Sequence, residues 1–144
     1  MTSGQDTPLP WRVFLRSLAL EVDERLGPGE AASVLRSVGQ RMAELMRLPP
    51  VASIETLELE MNAVLVDLGW GTVTLAVIES ERCVEMRHVG LPRVGSAGEP
   101  PGTWLVPALE GLYETWMAQQ PGSDSSFRSR LHQVGDVVVI RYGR

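Results

Sequence analysis

Two segments near the start of the chain carry apolar residues at three- and four-residue steps, the period of an amphipathic helix. The first runs from Trp11 to Leu26 and the second from Ala31 to Met46. Gly27-Pro28-Gly29 lies between them, and Pro49-Pro50 follows the second. Because a short turn of this kind leaves consecutive helices as neighbours, we expect an antiparallel helical hairpin.

A third helix is predicted from Ser53, a favourable N-cap residue, to about Leu68. Its main apolar face carries Ile54, Leu57, Met61, Val64, Leu65 and Leu68. A second, roughly opposite face carries Leu59, Ala63 and Val66. A helix exposed on one side has no need of two apolar faces. Either the same chain covers both faces, or the second face is an interface with another subunit, and the pattern does not decide between these.

The pattern changes from helical to alternating after Gly69-Trp70-Gly71, which predicts β-strands. Residues 72–79 and 83–89 are expected to form one hairpin. A fourth helix is predicted from Trp104 to about Gln120, capped by Thr103, and a mobile linker over residues 120–127. Strands at 127–134 and 136–142 form a second hairpin around Gly135-Asp136.

The resulting order of elements is α-α-α-β-β-α-β-β, which predicts an α+β fold. An N-terminal helical hairpin and a third helix are expected to pack with a small antiparallel four-stranded sheet. A chain of 144 residues has the size of one domain. We therefore expect a flexible segment over residues 1–10 and a single domain over residues 11–144.

The net charge of the chain and the composition of its first residues limit the classes of partner and indicate a compartment. The net charge of −5 disfavours nucleic acids and anionic membrane surfaces as ligands. Cys83 is the only cysteine, so no intrachain disulfide can form. Residues 1–10 lack the basic and apolar regions of a secretory signal, and no apolar run is long enough to span a bilayer. These features favour the cytoplasm.

The candidate catalytic and metal-binding residues are few. His88 and His132 are the only histidines, and no cluster of His, Cys and carboxylate residues at short spacing accompanies them. Ser96, His88 and Asp136 could be combined into a triad only on paper, because the sequence has no nucleophile elbow. We expect no cofactor, and we expect each histidine to be solvated or locally hydrogen-bonded.

The loop that includes Gly95 and Gly98 resembles a phosphate-binding loop only in part. It lacks the Lys-Ser/Thr ending, Glu99 would repel a phosphate, and Pro100-Pro101 delays the next helix. The loop is therefore expected to be a shaped connection in which glycines supply unusual backbone angles.

The tryptophans allow stacking on sugar rings, but their positions favour other roles. Trp11 and Trp116 lie on apolar helical stripes and are predicted to be core residues. Trp70 and Trp104 flank glycine breaks, where a surface or interface position is expected. The acidic residues of the third helix lie one or two turns apart, which is typical of a solvated edge rather than of paired glycosidase carboxylates.

Several of these segments together resemble the bacterial cellulose synthase operon protein D family. They are Leu68-Gly-Trp-Gly-Thr-Val-Thr-Leu75, Leu91-Pro-Arg-Val-Gly-Ser-Ala-Gly-Glu-Pro100, Gly102-Thr-Trp-Leu105 and Leu109-Glu-Gly-Leu-Tyr113. The resemblance implies a structural or interface role, not a catalytic one, for Trp70, Gly71, Gly95, Gly98, Glu99, Pro100, Gly102, Thr103 and Trp104.

The resemblance also implies how such a protein works. Family members are expected to form a homo-octamer built from dimers, a hollow cylinder with passages for nascent β-1,4-glucan chains. The N-terminal segments are expected to line those passages. They are accessory proteins beside the catalytic and export subunits, and in some lineages beside a proline-rich partner. Residues 1–10 match no motif, so no glucan-contacting residue is assigned. Because glucan is exported, the periplasm is the rival compartment.

A different class of function also fits the helical pattern. A small ligand-binding or sensory module would hold an apolar ligand between its helices, in a cavity lined by Met42, Met46 or Met61. Such a module need not form rings, so the native mass of the particle distinguishes the two hypotheses.

Overall fold

A computed structural model of the chain describes residues 9–94 and 102–144. Within these ranges the chain forms four α-helices and four β-strands. In chain order they are α1 Leu9–Leu26, α2 Pro28–Leu45, α3 Ile54–Leu68, β1 Thr72–Ile78, β2 Cys83–Val89, α4 Val106–Gln119, β3 Arg128–Gln133 and β4 Val137–Gly143. A short 3₁₀ turn, Glu79–Glu81, connects β1 to β2. The α+β class and the predicted order of elements are confirmed.

The sheet is antiparallel throughout and has the strand order β1-β2-β4-β3. Its inner face presents rows of paired residues, one of which aligns Leu75 with Met86 and Met86 with Ile140. Helix α3 packs beside β1, while α4 contacts β3 and β4. The main core between sheet and helices includes Met61, Leu65, Leu109, Leu112 and Trp116, all fully buried.

Helices α2 and α4 form the most extensive helix pair, and their backbones touch. A Cβ atom at Gly39 would lie 1.9 Å from the carbonyl oxygen of Ala108. A Cβ atom at Gly111 would lie 2.1 Å from the carbonyl oxygen of Arg36. Two glycines therefore bring these helices closer than any side chain between them would permit. Helix α1 packs less extensively, chiefly on α2.

Helix α3 lies along the free edge of β1 and hydrogen-bonds to it. The Asn62 side chain accepts from the Val73 N–H at 2.7 Å and donates to the Val73 carbonyl at 2.9 Å. Glu58 accepts from the Leu75 N–H at 2.8 Å. Ser53 caps the helix by accepting from the Thr56 N–H at 3.1 Å, as predicted. Three backbone groups of this edge strand are thus paired within the chain.

The fourth helix begins two residues later than predicted. It starts at Val106, with Leu105 rather than Thr103 at the N-cap position. Proline lacks an N–H and is best tolerated in the first helical turn. A start at Val106 places Pro107 in that turn, whereas a start at Trp104 would have cost Pro107 an intrahelical hydrogen bond. Helix α1 likewise takes Pro10 into its first turn.

The segment before β3, predicted as a linker, contains two hydrogen-bonded turns. The Ser123 N–H donates to the Gln120 carbonyl at 3.2 Å, and the Phe127 N–H donates to the Asp124 carbonyl at 3.0 Å. Asp124 also accepts from the Ser126 N–H at 2.8 Å. These local bonds satisfy backbone groups that neither α4 nor β3 can pair.

Candidate functional site

The two apolar faces of α3 have different environments. Leu57, Met61 and Leu65 on the main face are at most 4% exposed. On the opposite face Leu59 is 69% exposed, Val66 is 59% exposed, and Ala63 is also exposed. We call Leu59, Ala63 and Val66 the outer face of α3. The interpretation that the chain itself covers both faces is wrong, because α3 lies at the edge of the sheet with no described element beyond it.

Helix α1 carries a second exposed apolar surface. Trp11, Val13 and Phe14 are each more than half exposed, and the Trp11 and Phe14 rings meet edge to face with centroids 5.8 Å apart. We call these three residues the α1 surface. The prediction that Trp11 is a core residue is therefore wrong. Because α2 packs mainly on α4, α1 has chiefly one partner helix and cannot bury its whole stripe.

A buried histidine connects three parts of the chain. His88 Nε2 lies 2.6 Å from the Trp70 carbonyl oxygen, and Nδ1 lies 2.5 Å from the Tyr113 hydroxyl. A carbonyl can only accept, so Nε2 carries the proton and Nδ1 accepts from the Tyr113 hydroxyl. Burial lowers the pKa of His88 to about 4, and burial raises the pKa of Tyr113. Both groups are therefore neutral at pH 7 and hold the Gly69-Trp70-Gly71 break in place.

The structure describes both histidines and Asp136, but not the serine of the triad that could be drawn only on paper. His88 is hydrogen-bonded as expected, but it is buried rather than solvated, and His132 is exposed. Asp136 is exposed and pairs with Arg93 at 2.8 Å. Ser96 lies outside the described residues. Of the titratable side chains in the described ranges, no group of three offers a metal-binding arrangement.

Some of the residues to which the family resemblance assigns a structural role lie in one small core cluster. Trp104 is 8% exposed and packs with Val94 and Ala108, and the half-buried Trp70 contacts the same cluster. The Val94 N–H donates to the Gly102 carbonyl at 3.2 Å, which joins the two ends of the loop. Trp104 is thus buried within the chain rather than at its surface.

Gly71 and Gly102 both have positive φ angles, 90° and 86°, and unusual backbone angles were predicted for the glycines of the loop that ends at Gly102. A Cβ atom at Gly71 would lie 2.0 Å from the Val89 carbonyl oxygen, so only glycine fits there. Thr103 forms an isolated β-bridge with Val94. The other four motif positions, Gly95, Gly98, Glu99 and Pro100, lie outside the described residues.

A half-buried ionic network between α2, α4 and β3 was not predicted from the sequence. Arg36 contacts Glu110 and Glu114, each at 2.8 Å, and donates to the Ser129 hydroxyl at 3.0 Å. Burial opposes ionisation of Glu114, but hydrogen bonds from the Ser129 N–H and the Arg36 charge outweigh it and lower its pKa. The only signal for the network was the one-turn spacing of the two glutamates on α4.

The methionines named for an apolar ligand cavity are part of the packing. Met61 is fully buried in the main core, and Met42 and Met46 pack against that core. The Trp116 indole N–H donates to the Met46 carbonyl at 3.1 Å, which closes the end of α2 onto α4. This arrangement gives the ligand-binding hypothesis no support.

None of the described helices combines the length and the apolar character that crossing a bilayer requires.

Comparison with known proteins identifies the family. The family model for the D subunit of cellulose synthase matches residues 1–143. A protein named cellulose synthase operon protein D from Komagataeibacter xylinus is 41% identical over 129 residues, which cover 90% of this chain and 76% of the relative. A protein of the same name from Komagataeibacter sucrofermentans has the same identity and coverage. The chain therefore belongs to the family of cellulose synthase D subunits and has a role in cellulose synthesis.

Proposed function

We propose that this chain is a non-catalytic accessory subunit of the bacterial cellulose synthase complex. It forms a homo-oligomeric scaffold that guides nascent β-1,4-glucan during export and orders the chains into crystalline cellulose. The observation that carries this proposal is the exposed outer face of α3. Apolar side chains grouped on one face of a helix are typical of a surface that another protein covers.

The second exposed surface supports an assembly built from dimers. A closed octamer built from dimers needs at least two different contacts on each chain, one within the dimer and one between dimers. The outer face of α3 and the α1 surface lie on different helices and offer two such contacts. Helix α1 follows directly on residues 1–8, so an assembly through α1 would bring several N-terminal segments close together, where we propose that they contact glucan.

The polar groups of the described residues favour a structural role over a catalytic one. The carboxylates of Glu110 and Glu114 bind one arginine, and neither is free to act as an acid or a base. His88 is enclosed by Tyr113 and the Trp70 carbonyl. These contacts stabilise the fold, so bond formation is left to other subunits of the complex.

The proposed partners are the other cellulose synthase subunits, a second copy of this chain and, in some lineages, a proline-rich accessory protein. We place the scaffold on the cytoplasmic side of the synthase complex, and fractionation of the native host tests this against a periplasmic location. Recovery with periplasmic markers would overturn the cytoplasmic assignment without affecting the scaffold itself.

The native mass of the particle tests the scaffold, and Leu59→Glu tests its interface. Placing a charge in the centre of an apolar contact leaves it buried and unpaired, which disfavours association. In sedimentation velocity we expect the wild type to form a particle of about eight chains and Leu59→Glu to form smaller species.

Leu45→Glu is the matched control. Leu45 is 79% exposed and lies at the end of α2, on a different helix from the outer face of α3, so its substitution should leave the particle mass unchanged. A wild type that remains a monomer at micromolar concentration would contradict the scaffold. An unchanged sedimentation profile for Leu59→Glu would contradict the interface.

A further inference from the structure

A small cavity lies where α1, α2 and the segment before α4 meet. Its volume is about 110 Å³. Asp23 from α1, Ala31 and Leu35 from α2, and Trp104 and Pro107 line it. Alanine, leucine and proline make most of the wall apolar, while Asp23 and Trp104 supply polar atoms. Trp104 also belongs to the motif that the family resemblance singled out, and the proposed scaffold gives it no task.

Two polar atoms of these lining residues are buried without a partner. In the part of the chain that the structure describes, neither the Trp104 Nε1–H nor Asp23 Oδ2 has a hydrogen bond. Trp104 is only 8% exposed, so solvent cannot readily pair its N–H. Buried polar groups are nearly always hydrogen-bonded, and leaving a donor and an acceptor unpaired raises the free energy of the molecule. A ligand that pairs both atoms recovers this free energy.

The two atoms select the chemistry of the ligand. The indole N–H can only donate, and a carboxylate oxygen can only accept. An ammonium group offers no acceptor to Trp104, and a carboxylate or phosphate is repelled by Asp23. A hydroxyl group accepts from the indole and donates to the carboxylate with a single oxygen atom. The apolar wall of Ala31, Leu35 and Pro107 suits the C–H groups beside such a hydroxyl.

The cavity is large enough for a hydroxyl and its neighbouring carbon atoms. A water molecule in the liquid occupies about 30 Å³, so the space exceeds what one bridging water fills. Sugars combine hydroxyl groups with C–H faces at this scale. We propose that this cavity binds the hydroxyl edge of a glucan chain, with Trp104 Nε1–H donating to a sugar hydroxyl that itself donates to Asp23 Oδ2.

This assignment rests on the proposed function, because that function supplies the glucan. The cavity itself forms within one chain, so it does not depend on the number of chains in the particle. The site would hold glucan on the α1–α2 side of the subunit, in addition to any contact made by residues 1–10.

Calorimetric titration of the native particle with cellotetraose tests the site. Trp104→Phe keeps the aromatic packing and removes the N–H, and Asp23→Asn keeps the shape and removes the negative charge. Loss of one hydrogen bond in Trp104→Phe, and exchange of a charged acceptor for a neutral amide in Asp23→Asn, should each weaken binding about tenfold. Asp67→Asn, at an exposed acid of α3, is the control and should bind like the wild type. Glycerol, a small polyol, should bind far more weakly than cellotetraose.

Several outcomes would overturn the assignment. The first is that the wild type does not bind cellotetraose. The second is that Asp23→Asn and the wild type bind cellotetraose with equal affinity. The third is that glycerol and cellotetraose bind with equal affinity. The second outcome would mean that the cavity holds ordered water only. Asp23→Asn decides the matter if Trp104→Phe fails to fold. A particle of the expected mass whose variants all bind like the wild type would leave the scaffold intact and exclude this site alone.

Discussion

Single residues set the closest contacts in this molecule, and Gly39 is the clearest example. Its Cα faces the Ala108 carbonyl, so an added methyl group would lie 1.9 Å from that oxygen. Gly39→Ala must push α2 and α4 apart, and overpacking of this kind costs more than the gain of about 1 kcal/mol in helix propensity. We expect a net loss of about 2 kcal/mol in the free energy of unfolding, measured by urea denaturation.

Gly29→Ala is the matched control for that experiment. Gly29 lies in the first turn of the same helix, and a Cβ atom there would meet nothing within 4 Å. This substitution should leave stability unchanged or raise it slightly. Equal effects of the two substitutions would show that α2 and α4 are not in backbone contact.

His88 gives the fold a defined dependence on pH. Its pKa is about 4 in the folded chain, against 6.5 for an unperturbed histidine. The unfolded chain therefore binds a proton at a higher pH than the folded chain does, and stability falls as the pH decreases from about 6.5 to 4. A difference of this size corresponds to about 3 kcal/mol, fully retained above pH 6.5.

Urea denaturation from pH 4 to 7.5 measures this dependence. His88→Gln cannot take up the proton, so it should lose less stability on acidification than the wild type. His132→Gln removes an exposed histidine and should keep the wild-type slope. Parallel curves for wild type and His88→Gln would exclude a role for His88 in acid sensitivity.

At the scale of elements, the pairing of α3 with β1 explains why α3 carries polar residues between its two apolar faces. Asn62 and Glu58 hydrogen-bond to the strand, and Met61 is buried in the core. Leu59, on a third side of the same helix, is exposed. The sequence pattern indicated the two apolar faces, while the bonds to β1 depend on a register that only the folded sheet defines.

Replacing the Asn62 side chain should leave backbone groups of β1 without hydrogen-bond partners. Asn62→Leu leaves the Val73 N–H and carbonyl without partners, which we expect to cost about 2 kcal/mol of unfolding free energy. Hydrogen exchange of the Val73 amide should accelerate relative to the wild type. Glu55→Ala, at an exposed position of the same helix, should leave that exchange rate unchanged. Equal rates in Asn62→Leu and wild type would contradict the pairing.

At the scale of the whole molecule, local signals were sufficient for the order of elements. The Ser53 cap, the glycine break at residues 69–71 and the alternation in β2 each depend on neighbouring residues, and α3 and β2 begin and end as predicted. The exposure of Trp11 and the partners of Arg36 depend on which helix α2 contacts. The contact between α2 and α4 depends on glycines that lie far apart in the sequence. The periodicity of neighbouring residues does not predict that these glycines meet.

The hydrogen bonds from α3 to β1 also limit how copies of the chain can join. A strand from another molecule finds the Val73 and Leu75 amides already taken, so the sheet cannot be extended from molecule to molecule at this margin. Any contact between copies at this margin must therefore be made by side chains. Growth into fibres through the β1 edge is thereby discouraged in a protein with a role in the synthesis of a fibrous polymer.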